Sequence, residues 1–464
     1  MYRKNAWELY DEAEMKRLEA FAADYRRFLD GGKTERECVC EAETLAQAKG
    51  FIRLEDAIRE GRRLQPGDRV YENWMGKDFM AFVIGRQPLT EGMNILGAHI
   101  DSPRIDVKQN PLYEDEGIAY FDTHYYGGIK KYQWVAQPLS LHGVIVLRDG
   151  SKVTLALGEG EDDPVFCISD LLIHLAKDQM AKNAAEVVEG EALNLIIGSK
   201  PLQGEEKEPV KRAVLALLKE RYRVEEEDLL SAELEIVPAG KARDLGFDRS
   251  MILGYGHDDR VCAFPSLRAL ADYEGVPEYT LSAILTDKEE IGSVGATGMA
   301  SNFFENTVAE LLALCQDDAS NLQLRRALRN SRMLSSDVSA GFDPNFAGVF
   351  EKKNAALLGR GVCFNKFTGS RGKGGSNDAN AEFMAEIRRI LDAASVDFQT
   401  AELGRVDVGG GGTIAYMCAK YGMNVIDAGI PVLSMHAPYE IIAKCDLWEA
   451  YKGYLAFLKD AKRF

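Results

Sequence analysis

Residues 279–285 form an apolar run with the length and composition of a buried β-strand. It ends on Thr286-Asp287-Lys288-Glu289-Glu290, with Gly292 and Gly295 close behind. Two adjacent carboxylates at the end of a buried strand repel each other and resist desolvation unless positive charge lies near them. A divalent metal supplies that charge, with one glutamate as ligand and the other free to carry a proton. A solvated turn is the alternative for an isolated Glu-Glu pair, so the reading depends on what the rest of the chain brings to the same place.

The same pattern recurs along the chain. An apolar strand predicted from residue 93 ends on His99-Ile100-Asp101-Ser102, and Pro103 closes it. Alternation puts His99 and Asp101 on one side, where an acid can orient the second ring nitrogen of a ligating imidazole. Gly254-Tyr255-Gly256-His257-Asp258-Asp259 leads into a helix predicted over 261–274. The two aspartates fit either a cap with first-turn charge or a carboxylate that bridges two cations. A short run from Met333 ends on Asp337, and a last one from Val432 ends on His436. In α/β sheets, ligands gather at the carboxyl ends of strands. Two histidines and three carboxylates, one of them shared, suffice for two divalent ions. Mixed N/O ligation suits zinc, and also cobalt or manganese. A paired site clamps an attacking water and a substrate carbonyl, and the spare glutamate acts as general base.

The remaining chain sets the frame. At 464 residues it exceeds one ordinary core, so two domains are expected. The net charge of −17 argues against nucleic-acid binding, which needs Lys and Arg to neutralise phosphates. No apolar run reaches 18 residues, so no membrane helix is expected, and the N-terminal stretch lacks the apolar core of a signal peptide. A cytoplasmic location follows as the expectation. Eight cysteines without a CxxC pair support neither a zinc ribbon nor a thioredoxin motif. Helices are predicted at 8–30, 41–48, 302–316, 378–394 and 441–460. Between about 104 and 245 the pattern changes to strands at 118–125, 132–136, 141–148 and 152–157, with helices near 168–183, 208–221 and 225–230. An insert at 106–244 interrupting a domain made of 1–105 and 245–464 is the simplest account. Residues 365–377 are Gly-rich and basic without a phosphate-loop pattern. Lys366, Arg371 and Lys373 there are candidates for attracting an acidic substrate side chain, or they only offset the negative field.

Taken in order, His-x-Asp-Ser-Pro at 99–103, Asp258-Asp259, Glu289-Glu290-Ile291-Gly292-Ser293, Ser335-x-Asp337 and Ser434-Met435-His436 resemble the M18 metalloaminopeptidases, the aspartyl aminopeptidase family. The resemblance spans about 93–440 and includes Tyr126-Gly127-Gly128-Ile129 of the insert. It implies His99, Asp258, Glu290, Asp337 and His436 as metal ligands, with Asp258 bridging. It implies Glu289 as general base and Asp101 as the neighbour that orients His99. The implied fold is α/β: a metallopeptidase three-layer sandwich of phosphorylase/hydrolase type, interrupted by a β-rich dimerisation domain. The implied assembly is a tetrahedral homododecamer built from dimers.

The match departs in two places. Where acid-specific members carry a histidine that reaches a neighbouring subunit's site, this chain has Asp170, within Ser169 to Leu175. Loop 365–377 also differs, so acidic and neutral substrates both stay open. The expected function is a two-metal aminopeptidase that removes the N-terminal residue of peptides, without nucleic-acid or membrane partners. A deacylase of N-acylated amino acids on a similar catalytic domain is one alternative. A non-catalytic assembly protein is another, but it needs a broken ligand set.

Overall fold

Strands in which every residue is buried form the middle of a nine-stranded sheet. The computed structural model describes residues 4–317 and 319–462, so the first three residues of the N-terminal stretch lie outside the description. The chain divides into two units: Met1–Asp101 with Ala242–Met435 and Glu440–Phe464, and Ser102–Lys241 with His436–Tyr439.

In the first unit the large sheet comprises β1 (Ile52–Arg53), β2 (Arg69–Trp74), β3 (Asp78–Val83), β4 (Met93–His99), β5 (Thr280–Thr286), β6 (Arg332–Ser335), β7 (Val362–Asn365), β8 (Phe398–Thr400) and β9 (Asn424–Gly429). Their order is β1-β2-β3-β5-β4-β6-β9-β7-β8. The central four, β5-β4-β6-β9, are mutually parallel, and β3 joins β5 antiparallel. Strands β3 to β6 are buried at every position, which is why they read as continuous apolar runs rather than alternating ones.

Alternate residues of these strands feed two separate apolar clusters. Phe79, Ala81, Leu96, Ala98, Leu281 and Leu285 pack with helices Glu12–Gly31, Glu35–Ala48, His257–Ala271, Ala381–Ala393 and Lys444–Asp460. Met80, Phe82, Met93, Ile95 and Ile284 pack with Phe303–Cys315, Asn321–Arg329 and Ala415–Ala419. Each fully buried side chain of this size contributes about 1.5–3 kcal/mol. That surplus lets the strand ends carry acids whose burial opposes folding.

Helix Glu35–Ala48 begins earlier than the expected residue 41. Thr34 and Glu37 form a reciprocal capping box that satisfies the first free N–H groups and fixes the start.

The second unit is built on a six-stranded, wholly antiparallel sheet. Its order is Lys152–Leu157, Leu139–Val146, Ala232–Pro238, Arg104–Asp115, Ile118–Tyr126, Leu195–Gly198. Two expectations fail here. The predicted strand 132–136 is a 3-10 turn at Lys131–Gln133 followed by the buried Trp134. One buried indole, not alternation, produced the apolar signal. The predicted helix 168–183 is reduced to Lys177–Met180, and Leu171, Leu172, Ile173 and Leu175 are exposed. A helix draws most of its stability from packing an apolar face, and this segment buries only Ile168 and Ala176 of its apolar side chains. Among the described residues no helix is long and apolar enough to cross a membrane.

Candidate metal centre

The parallel register sets the site. Thr286 of β5 lies opposite His99 of β4, and Ser335 of β6 lies opposite Gly97 of β4. The residues just past these positions therefore leave one edge of the sheet together: Asp101, Glu289-Glu290 and Asp337.

His99 is buried at the tip of β4. Its Nδ1 lies 3.0 Å from the Asp101 carbonyl and 3.2 Å from Asp101 Oδ1, and its Nε2 lies 3.1 Å from Asp258 Oδ1. Its backbone N–H donates to Asp259 Oδ2 at 3.3 Å. Asp101 is fully buried and does more than orient the imidazole. Its Oδ1 accepts the Glu289 N–H at 3.0 Å, and its Oδ2 accepts the Glu290 N–H at 3.2 Å.

The glutamate turn has a defined shape. Lys288 adopts the left-handed conformation (φ 67°), Glu289–Ile291 make one 3-10 turn, and Gly292 (φ 95°) ends it in the region glycine tolerates.

Asp258 and Asp259 open the helix His257–Ala271 but are not helical: their φ/ψ are −80°/107° and −118°/25°, and the peptide between them is cis. Neither behaves as an ordinary first-turn acid. The Asp258 N–H donates to Glu440 Oε2 at 3.0 Å, which leaves its carboxylate turned to His99. Asp337 is half-buried, and its carbonyl sits so close to Gly429 that an added Cβ would lie 1.8 Å from that oxygen. Only glycine fits there.

Two sets, His99-Asp258-Asp337 and His99-Glu289-Glu290, each bring one ligand atom per residue within 4.8 Å of the others. The chemistry of this donor set fits a divalent cation. Burial, then the charges of Asp259, Glu289 and Asp258, push the Asp337 carboxyl well above the usual carboxylate range. Burial also raises Asp259, with His99 opposing and Asp258 adding to the rise. Burial opposes a charge on His99, but its hydrogen bonds to Asp101 and Asp258 carry it well above its ordinary value. So many acids cannot all ionise side by side unless a cation is shared among them. Tetrahedral ligation with bonds of about 2.0–2.1 Å separates neighbouring donors by about 3.3 Å, close to the 3.1 Å between His99 Nε2 and Asp258 Oδ1. An oxygen and nitrogen set suits zinc, cobalt or manganese.

His436 (φ 65°) belongs to the second unit, where its Nδ1 lies 3.0 Å from the Gly128 carbonyl. An Nδ1–H donated to that carbonyl puts the ring lone pair on Nε2. Lys366 and Lys373 both pair with Asp378, at 2.6 and 3.0 Å, and Lys373 also lies over the Phe367 ring. Arg371 is exposed in the same loop. Sequence reasoning missed Asp259 and Glu440 as partners of His99 and Asp258. The Asp-Asp pair was a usable signal for the first, whereas Glu440 had none.

Residues 28–458 match the family described as Aminopeptidase I zinc metalloprotease (M18). The chain is 57% identical over 458 residues to a probable M18 family aminopeptidase 1 of Clostridium acetobutylicum, covering 98% of each chain. It is similar to the crystal structure of an M18-family aminopeptidase from Thermotoga maritima, with a TM-score of 0.94 and 44% identity over 99% of this chain and 100% of that one. The crystal structure of aminopeptidase I from C. acetobutylicum gives 0.91 and 55% over 98% of both.

Proposed function

Because the chain belongs to the M18 family of zinc metallo-aminopeptidases, which are hydrolases, we propose that it is a cytoplasmic two-metal aminopeptidase that removes N-terminal residues from peptides. The observation that carries this reading is the convergence of His99, Asp337, Glu289 and Glu290, at the carboxyl ends of parallel strands, with Asp258 at the start of a helix.

In this reading His99, Asp258, Glu290, Asp337 and His436 hold two ions, with Asp258 shared. Divalent cations held there would supply Lewis-acid polarisation of a scissile carbonyl and a lowered pKa for a bound water. Glu289 takes the proton from that water and returns it to the leaving amine. Asp101 fixes the His99 ring from its Nδ1 side and holds the N–H groups of both glutamates, so ligand and base stay in register.

The finer architecture is part of the same proposal. The first unit acts as a three-layer metallopeptidase sandwich and the second as a dimerisation unit, leading to a tetrahedral dodecamer. The exposed Leu171, Leu172, Ile173 and Leu175 support a covered surface there, because contiguous exposed apolar side chains mark contact sites. Lys366, Arg371 and Lys373 are proposed to bias the enzyme toward acidic N-terminal residues.

The test uses the full-length protein stripped of metal. Activity on unblocked peptides should vanish and return with zinc, cobalt or manganese, and N-acetylated peptides should stay intact. Activity that persists with metal verified absent refutes the reading, and release from blocked substrates favours a deacylase instead. Light scattering should find a particle many times the mass of one chain.

A further inference from the structure

The turn that carries Glu289 is held on its strand side by an acid outside every recurring motif. Asp78 opens β3, the antiparallel neighbour of β5, beside the last residues of that strand, and it is fully buried. Its Oδ1 accepts the Asp287 N–H at 2.9 Å and the Thr286 hydroxyl at 3.2 Å. The Asp287 carboxylate accepts the Thr297 hydroxyl at 2.7 Å and pairs with Lys288 Nζ at 2.6 Å. The next residue, Lys288, reverses the chain in the left-handed conformation, and the N–H after that, from Glu289, goes to Asp101. One residue therefore separates two N–H groups anchored on two buried carboxyls from neighbouring strands. The peptide planes on either side of Lys288 cannot rotate without breaking one of those bonds.

We propose that Asp78 is a positioning residue for the general base: by fixing the Asp287 N–H it sets the direction in which Glu289 leaves the turn. This rests on Glu289 being that base. Asp78 touches neither metal ligands nor substrate in this arrangement, so it acts on proton transfer rather than on metal or substrate binding. A displacement of about 1 Å at a catalytic group is enough to cost about 100-fold in rate. Burial pushes the Asp78 carboxyl up to about 8, so near neutral pH a neutral carbonyl acceptor suffices there, and asparagine reproduces it.

The experiment compares Asp78→Ala, Asp78→Asn and Glu289→Gln in the full-length, metal-loaded enzyme. Metal content, kcat and KM are read on an aminoacyl p-nitroanilide. Asp78→Ala should lower kcat about 10–100-fold with KM and metal content unchanged, and Asp78→Asn should recover most of the loss. Should the alanine variant fail to fold, Asp78→Ser, too short to reach the Asp287 N–H, takes its place. A normal kcat in the shortened variants overturns the proposal. So does an equal loss in Asp78→Asn, or a loss that follows metal content, because either marks a merely structural role. A near-normal kcat in Glu289→Gln instead refutes the base assignment itself, whatever Asp78 does.

Discussion

Asp101 accepts the backbone N–H of Glu289 at 3.0 Å, so a carboxylate at the end of one strand holds the Glu289-Glu290 turn at the end of the next. Its Oδ2 accepts the Glu290 N–H at 3.2 Å, and His99 Nδ1 lies 3.2 Å from its Oδ1. Asp101→Asn turns an NH2 toward a backbone N–H and removes one acceptor. Metal affinity and kcat should fall together, each by about 10–100-fold, as for other groups that orient metal-binding histidines. A metal titration beside steady-state kinetics checks this. Loss of kcat with unchanged metal affinity contradicts it.

The two glutamates should separate cleanly. Glu289→Gln keeps size and polarity but cannot take a proton. It should bind the normal complement of metal and lose about 10²–10⁴-fold in kcat, with KM little changed. Glu290→Gln replaces an anionic ligand with a weak neutral one, so it should lose metal and recover partly in excess zinc. Metal stoichiometry of both variants decides the matter. The opposite pattern reverses the two roles.

Substrate charge selection by loop 365–377 should be weak. Lys366 and Lys373 already share Asp378, and both are nearly half exposed (46% and 45%). Exposed ion pairs are worth about 0–1 kcal/mol. Neutralising Lys366, Arg371 and Lys373 together should therefore raise KM for Glu or Asp substrates by no more than about 5-fold and leave Ala substrates alone. Parallel kinetics on the two substrate classes are the check, and equal effects on both rule out charge reading.

The pH dependence of stability should include a buried acid away from the ligands. Asp427 lies on β9 opposite Ser335 and Asn365, and burial pushes its carboxyl up to about 7. In the unfolded chain it titrates near 3.9, at about the reference value. Between those values the folded state binds the extra proton, so this contribution to stability is present at low pH and is lost as pH rises toward 7. Asp427→Asn removes the dependence. Its Tm relative to the parent should rise from pH 5 to pH 8, measured by calorimetry with metal saturating both proteins. A difference independent of pH refutes the assignment.

Strand ends were readable because fully buried parallel strands are unbroken apolar runs, and a charged residue after such a run stands out. Thus His99, Glu289-Glu290 and Asp337 could be found, and the register brings them to one edge. Asp258 was readable as a candidate, but its non-helical backbone was not, since an acid pair before a helix looks like a cap. Thr34 and Glu37 carried a legible capping signal that places the start of their helix. Leu171, Leu172, Ile173 and Leu175 mimicked a helix because spacing alone does not say whether a face finds a partner. Asp78 and Glu440 were invisible for a different reason: they act across strands, and nothing local encodes which residue a strand will face. The positive character of loop 365–377 was plain from composition, but its pairing with Asp378 was not.

The order of the central strands bears on how the protein is made. β4 lies between β5 and β6, both of which follow the second unit in the chain, and β9 comes later still. At about 5–20 residues per second, His99 and Asp101 leave the ribosome many seconds before Asp258, and Asp337 follows later again. Meanwhile Ser102–Lys241 has a six-stranded sheet of its own to complete. A nascent chain thus carries buried-type acids with no neighbouring strands to shelter them and no complete shell for an ion. A complete ligand set is accordingly available only late in synthesis, and a polypeptide stalled between Asp258 and Asp337 lacks part of the proposed shell.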